Sequence, residues 1–139
     1  MIYCTGKSMI VAALFLFALY DNSDSNHLRA LDEFETISEP LTVTHRVLEE
    51  LITVLTYKQG VDFALSVLEQ TKSNDAFDLF PTEMSVQKEV LELMKKTRKN
   101  LSFTDYSLVY LSIQRGETVL TYDKQMLGLL KKKKIVKKA

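Results

Sequence analysis

The sequence predicts an α/β fold in which a small parallel sheet of four to five strands is flanked by helices. Short apolar segments rich in β-branched residues alternate with longer segments of helical periodicity. Strands separated by helices require crossover connections, which favour a parallel sheet. With only four Gly and two Pro, no linker divides the chain. We therefore expect one domain over residues 1–139, with an N-terminal extension at 1–8 and a basic C-terminal tail at 131–139.

The first apolar segment, "MIVAALFLFALY", covers Met9–Tyr20 and contains twelve residues without a charge. It is shorter than the roughly 20 residues that span a bilayer, so we expect no membrane helix. One alternative is the apolar region of a signal peptide, because Lys7 precedes it. No small-residue cleavage site follows, which favours a buried strand, "MIVAA", running directly into a buried helix.

The following elements are placed by turn and cap signals. The cluster "DNSDSN" is typical of a turn, and Ser25 or Asn26 caps a predicted helix from His27 to about Thr36. The segment "SEPLTVTHRVLEELITVLTYKQG" indicates a Pro break, a Thr cap and a long amphipathic helix that ends at Gly60. The pattern "VDFALSVLEQTKS" predicts another helix.

The C-terminal half repeats this alternation. "AFDLF", Ala76–Phe80, predicts a strand because it is short, alternating and followed by Pro81. The later elements are a helix in "SVQKEVLELMKKTRK", a helix over 102–114 ended by Gly116, a strand "TVLTY", a last helix from near Asp123, and an edge strand in "IVKK".

Composition narrows the functional classes only slightly. Eighteen basic and eighteen acidic residues cancel, so global charge does not indicate a nucleic-acid partner. Six lysines in the last nine positions form the basic tail. The single cysteine, Cys4, excludes an internal disulfide and suits a reducing compartment, so we expect a cytoplasmic protein.

Two carboxylates lie at element boundaries eighteen positions apart, Asp105 near the start of a helix and Asp123 after a strand. "SFTD" fits a capping box with Ser102 as the N-cap, which by itself explains Asp105. Asp123 is also a favoured N-cap residue. The alternative is that both meet at the carboxyl edge of the sheet, where polar sites of α/β folds collect, and hold a metal.

A third candidate is Glu50 in the long helix. At about 100° per residue, Glu50 borders the apolar face that contains Val47 and Leu51, whereas Glu49 points toward water. An ordinary surface glutamate is the alternative interpretation.

In order, these motifs resemble those of the PIN-domain nucleases, especially the small VapC-like toxins of toxin–antitoxin pairs. The most specific stretch is "LSFTDYSLVYLSIQRGETVLTYDKQM", supported by "VTHRVLEELITVL" and "LYDNSDSNHLRAL". The resemblance implies a metal-dependent endoribonuclease that uses Mg²⁺ or Mn²⁺ to cleave RNA phosphodiesters. It implies that Glu50, Asp105 and Asp123 are catalytic metal ligands, and that the protein has an RNA substrate and a protein antitoxin.

The sequence departs from the family pattern at one position. The first strand of the family normally ends in an Asp followed by Thr and then Asn or Ser, and here that Asp falls on Ala13, with Leu14 and Phe15 after it. A second register places Thr5 near this position and also lacks the acid. Eight residues of helix would carry Asp21 about 12 Å away, so it does not replace the missing ligand.

Two functional hypotheses follow from this gap. In the first, the remaining acids support a metal-dependent endoribonuclease whose activity is weakened or lost because Ala13 replaces the first-strand Asp. In the second, the chain is a catalytically inactive PIN-fold protein that works by binding, and exposed apolar side chains of "LFLFALY" bind a partner helix or form a homodimer.

Overall fold

The computed structural model describes residues 8–81 and 87–132. In chain order the elements are β1 Met9–Val11, α1 Ala13–Tyr20, α2 His27–Thr36, β2 Leu41–Thr44, α3 His45–Gln59, α4 Val61–Ser73, β3 Phe77–Phe80, α5 Gln87–Thr97, α6 Phe103–Arg115, β4 Val119–Leu120 and α7 Lys124–Lys132.

The four strands form one parallel sheet in the order β3-β2-β1-β4, and helices flank it. Ile10 of β1 is aligned with Thr42 of β2 on one side and with Val119 of β4 on the other. This arrangement confirms the predicted α/β class with a small parallel sheet. All three strand pairs are joined by helical crossovers, as parallel pairing requires.

Strand β2 is the element that the sequence interpretation missed. We predicted a Pro break and a helix cap at "PLTVT", whereas Leu41–Thr44 is a fully buried strand between β1 and β3. No turn separates β2 from α3, because Thr44 ends the strand and also caps the helix by accepting a hydrogen bond from the Val47 backbone N–H. The cap signal was therefore correct, but it concealed the strand before it.

The predicted buried strand leading into a buried helix is confirmed for β1 and α1. All three residues of β1 are at most 2% exposed, and five of the eight residues of α1 are buried. The apolar run thus supplies both the central strand and the helix packed beside it. Within the described ranges, no helix combines the length and the apolar character needed to cross a membrane.

The loop after α1 is organised around Asp21, whose side chain is 5% exposed. Its Oδ1 accepts hydrogen bonds from the Ser23 backbone N–H at 3.0 Å and from the Ser23 hydroxyl at 2.6 Å. The Lys58 Nζ lies 3.8 Å from the other carboxylate oxygen, Oδ2. The Ser23 bonds, with a smaller contribution from Lys58, lower the pKa of Asp21. Asp21 therefore has a structural role at the C-terminus of α1.

Several sequence predictions fall partly or wholly outside the described residues. Cys4, Thr5 and the edge strand predicted in "IVKK" lie there. Lys131 and Lys132 of the predicted basic tail belong to α7, and the rest of that predicted tail lies outside the described residues. Ser8 of the predicted N-terminal extension is tied to the fold, because its hydroxyl donates to Glu117 at 2.9 Å.

Replacing Asp21 with Asn should destabilise the protein by about 1 kcal/mol at neutral pH, because hydrogen bonds to a charged group and the Lys58 attraction are lost. A lowered folded-state pKa means that ionised Asp21 stabilises the protein above its unfolded pKa near 3.8, and that this contribution disappears as pH falls through the folded pKa. Urea unfolding of both proteins across this pH range measures the difference. A difference in unfolding free energy that persists unchanged at the lowest pH would contradict the structural role of ionised Asp21. Asp32→Asn, at an exposed position, is the matched control.

Candidate active site

The candidate site lies at the carboxyl edge of the sheet, near the point where the strand order reverses. The chain adds β2 and then β3 on one side of β1 before it returns to place β4 on the other side. At such a reversal the loops after adjacent parallel strands diverge and leave a crevice. The residues directly after β1, β2 and β4 therefore face a common region, and α6 begins there because it runs back to the start of β4.

Asp105 is held in the first turn of α6 by a capping box. Its backbone N–H donates to the Ser102 hydroxyl at 3.0 Å, and its carboxylate accepts from the Ser102 backbone N–H at 3.3 Å. The capping interpretation of "SFTD" is confirmed. Because the second bond is long and uses only Oδ2, the other carboxylate oxygen retains its capacity to accept.

Asp123 directly precedes α7 and is its N-cap residue. Its Oδ1 accepts hydrogen bonds from the backbone N–H groups of Gln125 at 2.8 Å and Met126 at 3.1 Å. The predicted N-cap role is confirmed, and the Thr121 hydroxyl also accepts a bond from the Asp123 backbone N–H. These bonds fix the carboxylate three residues beyond the end of β4.

Glu50 lies in the second turn of α3 and is half-buried, whereas Glu49 is exposed. This difference agrees with the helical-face argument, since Val47 and Leu51 on the adjoining face are 0% exposed. A hydrogen bond joins the Glu50 carboxylate to the side chain of Thr104, which directly precedes Asp105. Helix α3 therefore brings Glu50 to the first turn of α6.

The three carboxylates are linked by repulsion. Burial raises the pKa of Glu50 most, the charge of Asp105 raises it further, and the Thr104 hydrogen bond opposes both. Burial and the charge of Asp123 likewise raise the pKa of Asp105, against the hydrogen bonds with Ser102. The charge of Asp105 thus acts on Glu50, and the charge of Asp123 acts on Asp105.

The positions directly after β1 are apolar. Ala12 is the N-cap of α1 and donates its backbone N–H to Leu120 at 3.0 Å, and Ala13 begins the helix with 6% of its surface exposed. Strand β1 ends at Val11 and Ala13 is the first residue of α1, so the alignment of Ala13 with the acid of the family stays a prediction. Asp21 lies at the opposite end of α1, as the sequence argument expected.

The donor chemistry of this edge fits Mg²⁺ or Mn²⁺, which prefer carboxylate oxygens. No group of three His, Cys, Asp or Glu side chains within residues 8–81 and 87–132 is arranged to hold one ion. A site of this kind needs fewer ligands, because Mg²⁺ commonly keeps several waters and uses one or two carboxylates together with a substrate phosphate. The mutual repulsion of Glu50, Asp105 and Asp123 is what a divalent cation would relieve.

Sequence reasoning missed contacts made by side chains that are near the candidate acids in the sequence. The Arg46 guanidinium carbon lies 4.9 Å from the centre of the Phe103 ring. Tyr122 donates a 2.5 Å hydrogen bond to Glu33, and burial followed by that bond raises the pKa of Tyr122. Arg46 precedes Glu50 by four residues on one helix, so its spacing was available as a signal, whereas the Tyr122–Glu33 contact joins distant parts of the chain.

Replacing Glu50 with Gln should raise the melting temperature in metal-free buffer at about pH 7 by a few degrees, since ~1 kcal/mol moves the midpoint of a domain of this size by roughly 4 °C. A raised pKa means that the folded protein is favoured while Glu50 is protonated, and that stability falls as pH rises from 4.5 through the folded pKa. The gain should therefore vanish below that range. Glu49→Gln is the matched control, and equal gains from both variants would refute the repulsion argument.

Comparison with known proteins is consistent with this geometry. A family model described as the PIN domain matches residues 9–131. The fold is similar to the crystal structure of VapC20 from Mycobacterium tuberculosis, a toxin that cleaves the sarcin-ricin loop, with a TM-score of 0.79 and 19% sequence identity over 87% of this chain and 94% of that chain. No protein with a curated description matches the chain. The resemblance drawn from the motifs is confirmed, and the chain belongs to the PIN domain family.

Proposed function

We propose that this protein is a metal-dependent endoribonuclease of PIN type, with a toxin-like role in the cytoplasm and a protein antitoxin as its partner. The observation that carries the proposal is the electrostatic linkage of Glu50, Asp105 and Asp123, which come from three separate elements at one sheet edge. Gathering like charges costs stability, so such an arrangement favours a site that binds a cation. The family match supports the same reaction class.

In this mechanism carboxylates of Glu50, Asp105 and Asp123 would hold the metal ion together with waters and a substrate phosphate, because the described residues do not bring three acids together on one ion. When bound, Mg²⁺ or Mn²⁺ supplies a Lewis acid for the phosphoryl oxygens and lowers the pKa of a coordinated water. The capping bonds of Asp105 and Asp123 hold both carboxylates in fixed rotamers before substrate arrives. Thr104 orients Glu50 toward the same edge through its hydrogen bond.

Replacing Asp105 with Asn should reduce RNA cleavage by about 100-fold or more, because a metal-assisted step loses several kcal/mol of charge stabilisation. Purified protein is incubated with a single-stranded RNA in Mg²⁺ or Mn²⁺, and products are resolved on a gel. Asp75→Asn is the matched control, since Asp75 is exposed before β3 at the opposite edge of the sheet. Absence of cleavage by the unmodified protein at every metal concentration would remove the endoribonuclease proposal.

A second candidate is a non-catalytic PIN-fold protein that works through association, and one surface favours it. On α2, Leu28 is 75% exposed and Leu31 is 38% exposed, one helical turn apart. The predicted source of apolar surface was different, because "LFLFALY" is mostly buried and within it only Leu14 is as much as 43% exposed. An antitoxin helix or a second copy of the chain in a homodimer would cover the α2 leucines.

Replacing Ala13 with Asp should separate the two candidates. In the endoribonuclease, a new carboxylate after β1 adds a ligand, so Mn²⁺ should bind more tightly and cleavage should increase. Thermal melts with and without Mn²⁺ provide a separate readout, since a ligand at tenfold its Kd stabilises by about 1.4 kcal/mol. Ala13→Asn is the uncharged control. An Ala13→Asp variant that gains neither affinity for Mn²⁺ nor RNA cleavage would favour the non-catalytic PIN-fold protein.

A further inference from the structure

The end of α5 and the connection to α6 carry a dense positive charge. Four cations lie within five consecutive positions, and no acidic residue follows them before Asp105. All four are exposed to solvent. We call them the basic segment, which consists of Lys95 and Lys96 in the last turn of α5 and of Arg98 and Lys99 directly after it.

Hydrogen bonds fix the basic segment to the start of α6. The Tyr106 hydroxyl donates to the Lys99 backbone carbonyl at 2.7 Å and accepts from the Thr97 hydroxyl at 3.0 Å. Tyr106 directly follows Asp105 and is 1% exposed, so the anchor of the segment is held in the core. The segment therefore lies where α6 begins, at the carboxyl edge of the sheet.

The path of the chain limits the distance from the basic segment to the candidate site. The Ser102 backbone N–H donates to Oδ2 of Asp105 at 3.3 Å. Three residues of chain span at most about 11 Å between α-carbons, so Lys99 lies within that distance of Ser102. The charges that shift the pKa of Asp105 do not include these four cations. The segment is thus close to the site but does not neutralise its carboxylate, and it remains available to another anion.

The charge of the basic segment is solvated and not cancelled by the fold. Within residues 8–81 and 87–132, Lys95 is the one member with an ion pair, at 3.5 Å from Glu92, and both side chains are more than half exposed. Such exposed pairs contribute little binding energy. The Arg115 guanidinium is different, because it lies 3.1 Å from the buried carboxylate of Glu117.

Arg98 has a backbone conformation that glycine adopts more readily than arginine. Its φ is +58°, and it is the single non-glycine residue with a positive φ in the described part of the chain. Helices commonly end in this left-handed region with a glycine. The Arg98 Nε donates to the Lys95 carbonyl at 3.0 Å, which uses one of the five guanidinium donors. A side chain at such a strained position indicates a use for the remaining donors.

An RNA strand is the anion that fits this surface. Carboxylates at the candidate site repel phosphates, so a strand that binds there needs cations close to the site but outside it. Contacts from lysine and arginine to phosphates position a strand without reading its bases. We infer that the basic segment binds backbone phosphates of the RNA strand next to the candidate active site. This inference rests on the proposed endoribonuclease function.

The test measures binding separately from cleavage. Affinity for a fluorescein-labelled oligouridylate is measured by anisotropy in EDTA over a series of KCl concentrations. Lys96→Gln and Lys99→Gln should each weaken binding about 3- to 10-fold and reduce the slope of log K against log salt by about 0.7. The double variant should reduce the slope by about 1.4.

Arg98→Gly distinguishes a binding role from a structural one. Glycine removes the charge and also the strain of the left-handed backbone, so the melting temperature should not fall while the affinity for RNA does. A purely structural role at the end of α5 predicts the reverse, a lower melting temperature with unchanged affinity.

A matched control and a kinetic readout complete the test. Lys72→Gln removes an exposed charge near the end of α4, where Thr71 contacts Tyr20 at the far end of α1, and should change neither affinity nor slope. In Mn²⁺, Lys99→Gln should raise the KM for cleavage and leave kcat about unchanged, because contacts remote from the reacting phosphate stabilise the ground state and the transition state equally.

Unchanged slopes in Lys99→Gln and Arg98→Gly, or an equal loss in Lys72→Gln, overturn the inference even if the unmodified protein cleaves RNA. Displacement of the RNA by poly-L-glutamate at an equal concentration of charge also overturns it and assigns the segment to an acidic protein partner. RNA binding that depends on the segment, without any cleavage, supports the inference and removes the endoribonuclease function. An unmodified protein that neither binds nor cleaves RNA overturns both.

Discussion

Burial of β1 and β2 on both faces of the sheet is the constraint on which the position of each candidate acid depends. All seven residues of these strands are at most 5% exposed. Because the strands are parallel, their carboxyl ends lie at one edge, and the chain can continue only into helices that pack back on the sheet. Glu50 comes to that edge because α3 begins directly at Thr44.

The carboxylates of Asp105 and Asp123 stabilise helix starts, and the same carboxylates are the proposed metal ligands. Asp105 and Asp123 each cap a helix, and capping lowers the energy of a carboxylate at a helix start through hydrogen bonds and the helix dipole. That stabilisation offsets part of the repulsion that the fold imposes among the three carboxylates. The capping and metal-binding interpretations are therefore compatible, since a capped carboxylate keeps a second oxygen for another partner.

The carboxyl edge of the sheet combines buried apolar residues with charged side chains. Ala12 and Ala13 extend the apolar core to the end of β1, whereas Glu50, Asp105 and Asp123 carry negative charge. Fewer carboxylates weaken metal binding but also reduce the repulsion of an RNA strand.

By itself, the sequence determined the α/β class, most helices, both aspartate caps and the choice of Glu50 over Glu49, because these follow from periodicity and capping within a few residues. It did not determine β2, since Leu41–Thr44 has no turn before α3 and takes its partners from β1 and β3. Only the tertiary structure decided that Thr104 bonds Glu50, that Tyr122 reaches Glu33 and that Arg46 covers Phe103. Such contacts join residues distant in the chain, so they depend on how the helices pack on the sheet and leave no local pattern.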